Sequence, residues 1–423
     1  MIDLRLLREN PDLFREASRK KRIPADVDAV VETDTRLRAL RVEVENLRSE
    51  RNRVSKSVGK KQGEEREAAL EEARTLRERL EESEPELKSL EDRLNGLLLT
   101  IPNVPAPEVP EGATDEDNVE LRRWGAPREF SFAPKDHVEL ALSLDIADFG
   151  RGSKVSGSRF YFLKNEGALL QMALLRYAVD VLVQRGLSPM IVPELVREEA
   201  MTGTGFFPTG REDSYTMERD DLYLVGTSEV SLVSFHSDEI LSLEELPRRY
   251  AGLSSCFRRE AGAAGKDTRG FYRVHQFQKV EQVVICESEP EVVQAEHLAL
   301  LTNVEFLLQS LGLPHRVALA CAGELGMGQV LKHEVETWMP SRAAYSETHS
   351  CSTLGEYQSR RLNIRYRNAE GQMRFCATLN NTAVASPRIL IPLLETYQQE
   401  DGSVKIPEVL HPYLHGITEI RPK

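Results

Sequence analysis

Two stretches of the chain share one rhythm of apolar and polar positions. From Val30, mostly apolar residues recur at steps of three and four through Thr33, Leu37, Leu40, Val44, Leu47, Arg51, Val54 and Val58. After a polar segment with glycines at 59 and 63, the rhythm resumes at Ala69, Ala73, Leu76, Leu80, Ser83, Leu87, Leu90, Leu94 and Leu97. A seam of this period is the signature of paired helices. Two seams joined by a short Gly-containing turn predict an antiparallel helical hairpin over residues 27–98, each arm about 50 Å long. Two helices alone bury little, so the hairpin should project from a larger body. Pro85 removes one backbone hydrogen bond from the second helix, which predicts a kink there. Residues 3–20 read as one short amphipathic helix.

Four prolines and an acidic run in residues 101–120 predict a stiff linker between a helical domain (1–100) and a second domain (121–423). Beyond it the pattern changes to short alternating runs. Helices are expected at 167–184 and 289–310, and strands at 190–192, 222–225, 315–321, 333–338 and 344–351. Residues 202–208 read as a loop. Residues 360–367 and 374–382 read as paired strands with a turn at 369–371. A last helix should start with Ser386 as N-cap and Pro387 and Arg388 in its first turn; Pro392 fits that helix poorly. Strands follow one another without crossover helices, so the expected fold is α+β: a largely antiparallel sheet flanked by helices, with an N-terminal antiparallel coiled-coil arm.

The most informative alternation lies in residues 250–285, two strand-like runs around a ten-residue Gly-rich loop at 261–270. Period 2 puts Arg258 and Glu260 on one face of the first run, and Arg273, His275, Phe277, Lys279 and Glu281 on one face of the second. Cations, a ring and a terminal carboxylate on one face suit a ligand with phosphates, a flat base and an ammonium group.

Composition narrows the class. The 423 residues are 40% hydrophobic, enough for a sizeable core, and no window reads as a membrane span or an N-terminal signal peptide. Five widely spaced cysteines without a C-x-x-C pair indicate neither a zinc knuckle nor a disulfide frame, and fit a reducing cytosol. A net charge of −13 argues mildly against a polyanionic partner. The distribution argues the other way. Arg48, Arg51, Arg53, Lys56, Lys60 and Lys61 face a single acid, Glu50, near the hairpin turn, and residues 19–22 are all basic. Neither seam nor body needs charge there, so nucleic-acid contact is favoured over a scaffold role. Three tempting motifs are discounted: V-S-K-S-V at 54–58 lies in the seam, H-E-V-E at 333–336 lacks its second His, and the glycines of 323–328 precede no Lys-Ser/Thr.

F-R-R-E at 257–260, with R-V-H-Q-F-Q-K-V-E at 273–281, resembles motif 2 of class II aminoacyl-tRNA synthetases. S-P-R-I-L-I at 386–391 resembles motif 3, and the helix–strand–Pro unit at 167–193 resembles motif 1. T-G-T-G-F-F-P at 202–208, T-S-E at 227–229 and the long hairpin resemble the seryl-tRNA synthetase family within that class. The resemblance implies a homodimer with motif 1 at its interface, L-serine and ATP as substrates, Mg²⁺, and tRNA(Ser) gripped by the arm across subunits. The tRNA for selenocysteine is a further acceptor it leaves open. It also implies site residues. Arg258 would hold the α-phosphate and the serine carboxylate, and Arg388 the γ-phosphate. Phe277 would stack on adenine, Glu260 accept from its amino group, and Arg259, Arg273 and Val274 line the ATP site. Glu347, Thr348, His349 and Ser350 would lie near the phosphates, Glu347 and Ser350 holding Mg²⁺. Thr227, Ser228, Glu229, Glu281 and Thr382 would surround serine. Lys266 and Arg269 would guide the tRNA acceptor end. His275 is expected to be structural.

Overall fold

The computed structural model describes residues 1–261 and 269–423. It separates into two units, Ile2–Pro102 and Asn103–Lys423 with Met1. No helix among the described residues is long and apolar enough to cross a membrane.

The first unit is helical. α1 (Leu4–Glu9) and α2 (Pro11–Lys21) replace the single helix expected at 3–20. Pro11 lacks an N–H and takes the first position of a new helix, which splits the run at Asn10. α3 (Val27–Val58) and α4 (Glu64–Leu98) form the hairpin. Val44, Leu47 and Val54 pack with Ala69, Leu76 and Leu80 along the seam. α4 is unbroken through the exposed Pro85. Arg–Glu pairs such as Arg41–Glu91 (2.6 Å) and Arg48–Glu84 (2.9 Å) flank the seam; at this exposure they fix register more than they add stability.

In the second unit, residues 103–109 lie on the body: Asn103 and Ala106 donate their N–H groups to Met327 and Val330 carbonyls, and Val109 is buried. The chain then builds one eight-stranded sheet from β1 (Val119–Trp124), β2 (Ser188–Ile191), β3 (Arg248–Phe257), β4 (Gln276–Cys286), β5 (His315–Leu319), β6 (Leu331–Met339), β7 (Ala344–Gly355) and β8 (Ala377–Ser386). Their spatial order is β1-β5-β6-β7-β8-β4-β3-β2. Every pairing is antiparallel except β2 with β3. α5 (Asn165–Gln184) and α8 (Pro290–Ser310) pack on one face, against Val280, Val284 and Leu379. α6 (Glu198–Thr204), α7 (Glu229–Ser234) and α9 (Tyr357–Leu362) flank the other face, with α7 packed on Val283 and Ile285.

Three local expectations are corrected. Residues 202–204 close α6 instead of opening a loop. Residues 357–362 are helical, leaving short strands at Arg365–Arg367 and Met373–Phe375. Ser386 ends β8, and α10 (Leu390–Tyr397) begins after it, so Arg388 precedes the helix. That placement puts Pro392 in the first turn, where its missing N–H costs nothing.

Candidate active site

Two recesses share Arg258, Lys279, Ser350 and Thr382 in their walls, on the face of β4, β7 and β8 opposite α5 and α8. Phe277, Lys279 and Glu281 reach that face by strand alternation. Arg258, Glu260 and Arg273 do not: β3 stops at Phe257 and β4 starts at Gln276. The loop ends carry them instead, joined by the Arg258 N–H bonded to the His275 carbonyl. His275 Nδ1 lies 2.9 Å from the Arg258 carbonyl oxygen, so the ring braces the loop.

The first recess is lined by Phe277, Val274, Glu260, Arg273, Tyr272, Glu347 and Arg388. The Arg258 guanidinium lies 5.4 Å from the Phe277 ring centroid, and its Nε faces the Gly226 carbonyl at 3.4 Å. Glu260, held at φ 53°, accepts from Arg273 Nη1 at 2.6 Å. Arg273 Nε is buried with no hydrogen-bond partner among the described residues, a donor suited to an anion. Arg388 donates to the Tyr272 carbonyl and stacks on its ring at 4.7 Å; Arg342 stacks on the same ring at 4.0 Å. Arg388 Nη1 also lies 3.8 Å from the Glu347 carboxylate.

Two β-bulges shape the sheet here. The β6–β7 register slips between Val335 and Glu336, leaving Thr348 as an extra residue. The β4–β8 register slips between Val280 and Glu281, leaving Ala383 extra. Residues three apart point to opposite faces of a regular strand. The bulges let Glu347 and Ser350 line one recess together, as they do Thr382 and Ala385. Thr348 and His349 touch the recess, but their polar atoms are occupied within the sheet. Thr348 Oγ1 bonds Thr337 Oγ1 at 2.6 Å and His349 Nδ1 at 2.8 Å. Burial holds the His349 ring down at about 3, so it stays neutral.

The second recess holds Thr227, Glu229, Glu281 and Asn380 beside the shared residues. Lys279 Nζ lies 2.5 Å from Glu281 Oε2, with the two side chains only 6% and 3% exposed. Thr382 Oγ1 donates to the same oxygen at 3.2 Å. Thr227 Oγ1 accepts from the Glu229 N–H at 3.3 Å. Burial, reinforced by Glu281, pushes the Glu229 carboxyl up to about 7; the bond from Gln358 Nε2 (2.7 Å) opposes the rise.

Other expected residues lie apart. Ser228 is fully buried and donates to the Gly252 carbonyl at 3.2 Å, outside both recesses. Arg259 is exposed outside them, its N–H bonded to the Asp213 carbonyl. Lys266 lies outside the described residues. Arg269 pairs with Asp136 at 3.4 Å. Near the hairpin turn, Arg48 is paired with Glu84 and Arg53 with Glu50, Arg51 is half-buried, Lys56 and Lys60 are exposed, and Lys61 is half-buried. Sequence reasoning assigned no role to Tyr272, Gln329 or Gln358. Tyr272 could have been found beside Arg273 in F-Y-R; Gln358 becomes visible only once 357–362 is read as helix.

Residues 215–397 match the family model of the tRNA synthetase class II core domain (G, H, P, S and T), and residues 1–105 that of the seryl-tRNA synthetase N-terminal domain. The chain is 48% identical over 416 residues to a serine–tRNA ligase of Deinococcus radiodurans, covering 98% of each. Its structure is similar to that of seryl-tRNA synthetase from Pyrococcus horikoshii complexed with ATP, with a TM-score of 0.93, 39% identity and full coverage of both chains. A cytoplasmic serine–tRNA ligase from Naegleria fowleri in complex with AMP gives 0.88 at 32% identity, covering 100% of this chain and 99% of that one. The chain belongs to the seryl-tRNA synthetase family of class II aminoacyl-tRNA synthetases.

Proposed function

We propose that the chain activates L-serine with ATP and transfers the seryl group to the 3′ end of tRNA(Ser). A serine carboxylate oxygen attacks the α-phosphorus of ATP; the bond to the bridging oxygen breaks and pyrophosphate leaves. The terminal adenosine hydroxyl of the tRNA then attacks the seryl carbonyl, displacing AMP and losing its proton. Positioning and charge neutralisation dominate such chemistry.

One observation carries the reading: Arg258 stands in the wall common to both recesses. A planar guanidinium there can hold the α-phosphate from one side and the serine carboxylate from the other. Phe277 offers adenine a stacking face, Glu260 and Val274 its edge, and Arg388 and Arg273 the phosphates. Glu347 and Ser350 are hard oxygen donors on one face, a set that fits Mg²⁺ bound with ATP. The ion would offset negative charge on the phosphates. Glu281, Thr382, Glu229 and Thr227 take the ammonium and hydroxyl of serine. A site that bonds a hydroxyl rejects alanine strongly and threonine mainly by size.

The hairpin, with Lys56 and Lys60 exposed near its turn, is assigned to the tRNA, and Arg269 to its acceptor end. The exposed apolar residues of the motif 1 unit, Ile191 (88%) and Met172 (63%), suit a homodimer interface. The five cysteines are all free and buried, in keeping with work in the cytosol.

Serine-dependent exchange of pyrophosphate into ATP tests the assignment; exchange with a different amino acid and none with serine would defeat it. Deleting residues 30–98 should spare exchange and abolish tRNA charging. Equal loss of both would remove the arm's role.

A further inference from the structure

The helix α9 packs behind the amino-acid recess, and its polar side chains grip the segment that closes α6. Arg361 Nη1 donates to the Thr202 carbonyl at 2.9 Å and the Phe207 carbonyl at 3.3 Å. The contact is close: a Cβ at Gly203 would meet Leu362 at 2.1 Å. One residue of α9 reaches further. Gln358 is 1% exposed, and its Nε2 donates to the Thr204 carbonyl at 2.9 Å and to Glu229 Oε1 at 2.7 Å. Its Oε1 accepts from Thr378 Oγ1 at 2.7 Å. This pattern fixes the amide orientation, because a flipped amide would set its oxygen against the Thr204 carbonyl. A single side chain therefore ties α6, α7 and β8 together where they wall the recess.

We propose that Gln358 is a positioning residue of the amino-acid recess, acting through Glu229 to hold the carboxylate that meets the substrate ammonium. The inference rests on the serine-activating reading above. A donor aimed at a carboxylate favours its ionised form and fixes which oxygen remains for the ligand. Glu229 needs that help. It is buried beside Glu281 of β4, which opposes its ionisation, while Lys279 of β4 and Asn380 of β8 favour it. Arg258 lies further along the same recess. From α6 the Thr204 hydroxyl turns back to the Ala200 carbonyl, and the groups that α9 and β8 bring to Glu229, namely Gln358 and Asn380, are uncharged. Burial has already brought the Glu229 carboxyl up to about 7, so loss of one donor moves its titration across working pH.

The test uses the full chain in serine-dependent pyrophosphate exchange, with KM for serine and for ATP measured from about pH 6 to pH 8.5. In the unaltered protein KM for serine should fall as pH rises through about 7. Gln358→Met removes both donors at similar volume. It should raise KM for serine about tenfold or more at neutral pH and leave KM for ATP within about twofold. Its inflection should move to higher pH, so that the deficit narrows towards pH 8.5. Thr378→Val, which removes only the orienting donor, should move the inflection the same way by less; it decides the question if the Met variant does not fold. An inflection unmoved by either substitution, or serine and ATP KM values that rise in step, would overturn the proposal. Absence of serine-dependent exchange in the unaltered protein would instead overturn the functional reading and this inference with it.

Discussion

The buried Lys279–Glu281 pair offers the sharpest test of the site. Its atoms are 2.5 Å apart, and both side chains are almost wholly withdrawn from water. Bringing two ions into such a place costs several kcal/mol each, which their attraction largely offsets. Removing one partner leaves the other charge without compensation. Lys279→Met should therefore destabilise the second unit by about 3–5 kcal/mol. Replacing both, as Lys279→Met with Glu281→Gln, keeps a partner for Thr382 and removes both charges. That protein should return to within about 1 kcal/mol of the original. Because Lys279 also favours the ionised form of Glu229, the single variant's deficit should be smaller near pH 5.5 than near pH 8. Urea unfolding followed by tryptophan fluorescence is the assay. Trp124 and Trp338, the two tryptophans of the chain, both lie in this sheet, so the signal reports the second unit alone. Neither variant should support serine-dependent exchange. A single Lys279→Met protein that loses less than about 1 kcal/mol would refute the reasoning, since a pair so dispensable cannot be desolvated.

Arg388→Ala should raise KM for ATP about tenfold to a hundredfold, the range for losing a charge-assisted bond, with KM for serine nearly unchanged in exchange assays. Glu229→Gln tests the raised carboxyl by stability. A group whose folded value is about 7 against an ordinary 4.5 contributes stability fully below 4.5 and loses it as pH rises through 7. The unaltered protein should therefore lose up to about 3 kcal/mol across that window, and the Gln variant should show a flatter urea midpoint between pH 5 and pH 8. Arg269→Glu should lower tRNA charging by about tenfold while sparing exchange; equal losses in both assays would remove Arg269 from the acceptor path.

The hairpin was legible because eight turns of consistent rhythm outweigh any single residue, Pro85 included. Its last step drifts, with Leu98 buried more deeply than Leu97, as a 3.6-residue helix does against a 3.5-residue repeat. Short elements were harder. R-R-L-N-I-R-Y-R at 360–367 alternates well enough to read as a strand, yet its first three residues finish α9 because packing on α6 decides there. Phe277, Lys279 and Glu281 could be placed from alternation alone. Arg258, Glu260 and Arg273 line one recess, although loop ends and not strand faces bring them together. The bulges at Thr348 and Ala383 left no mark in the sequence. An extra residue changes which partner faces which, and only the neighbouring strand reveals it. Gln358 was hidden for the related reason that its partners lie 20, 129 and 154 residues away.

Those two bulges carry an engineering consequence. Inserting one residue between Val335 and Glu336, or between Val280 and Glu281, would give Thr348 or Ala383 a partner across the ladder, the pairing a designer would draw first. Glu347 and Ser350, or Thr382 and Ala385, would then stand three apart on a regular strand, and one of the pair would turn away from the ligand. A variant built for regularity could thus be well folded and inert. In this sheet an apparent fault in pairing is the device that lets residues three apart serve a single ligand.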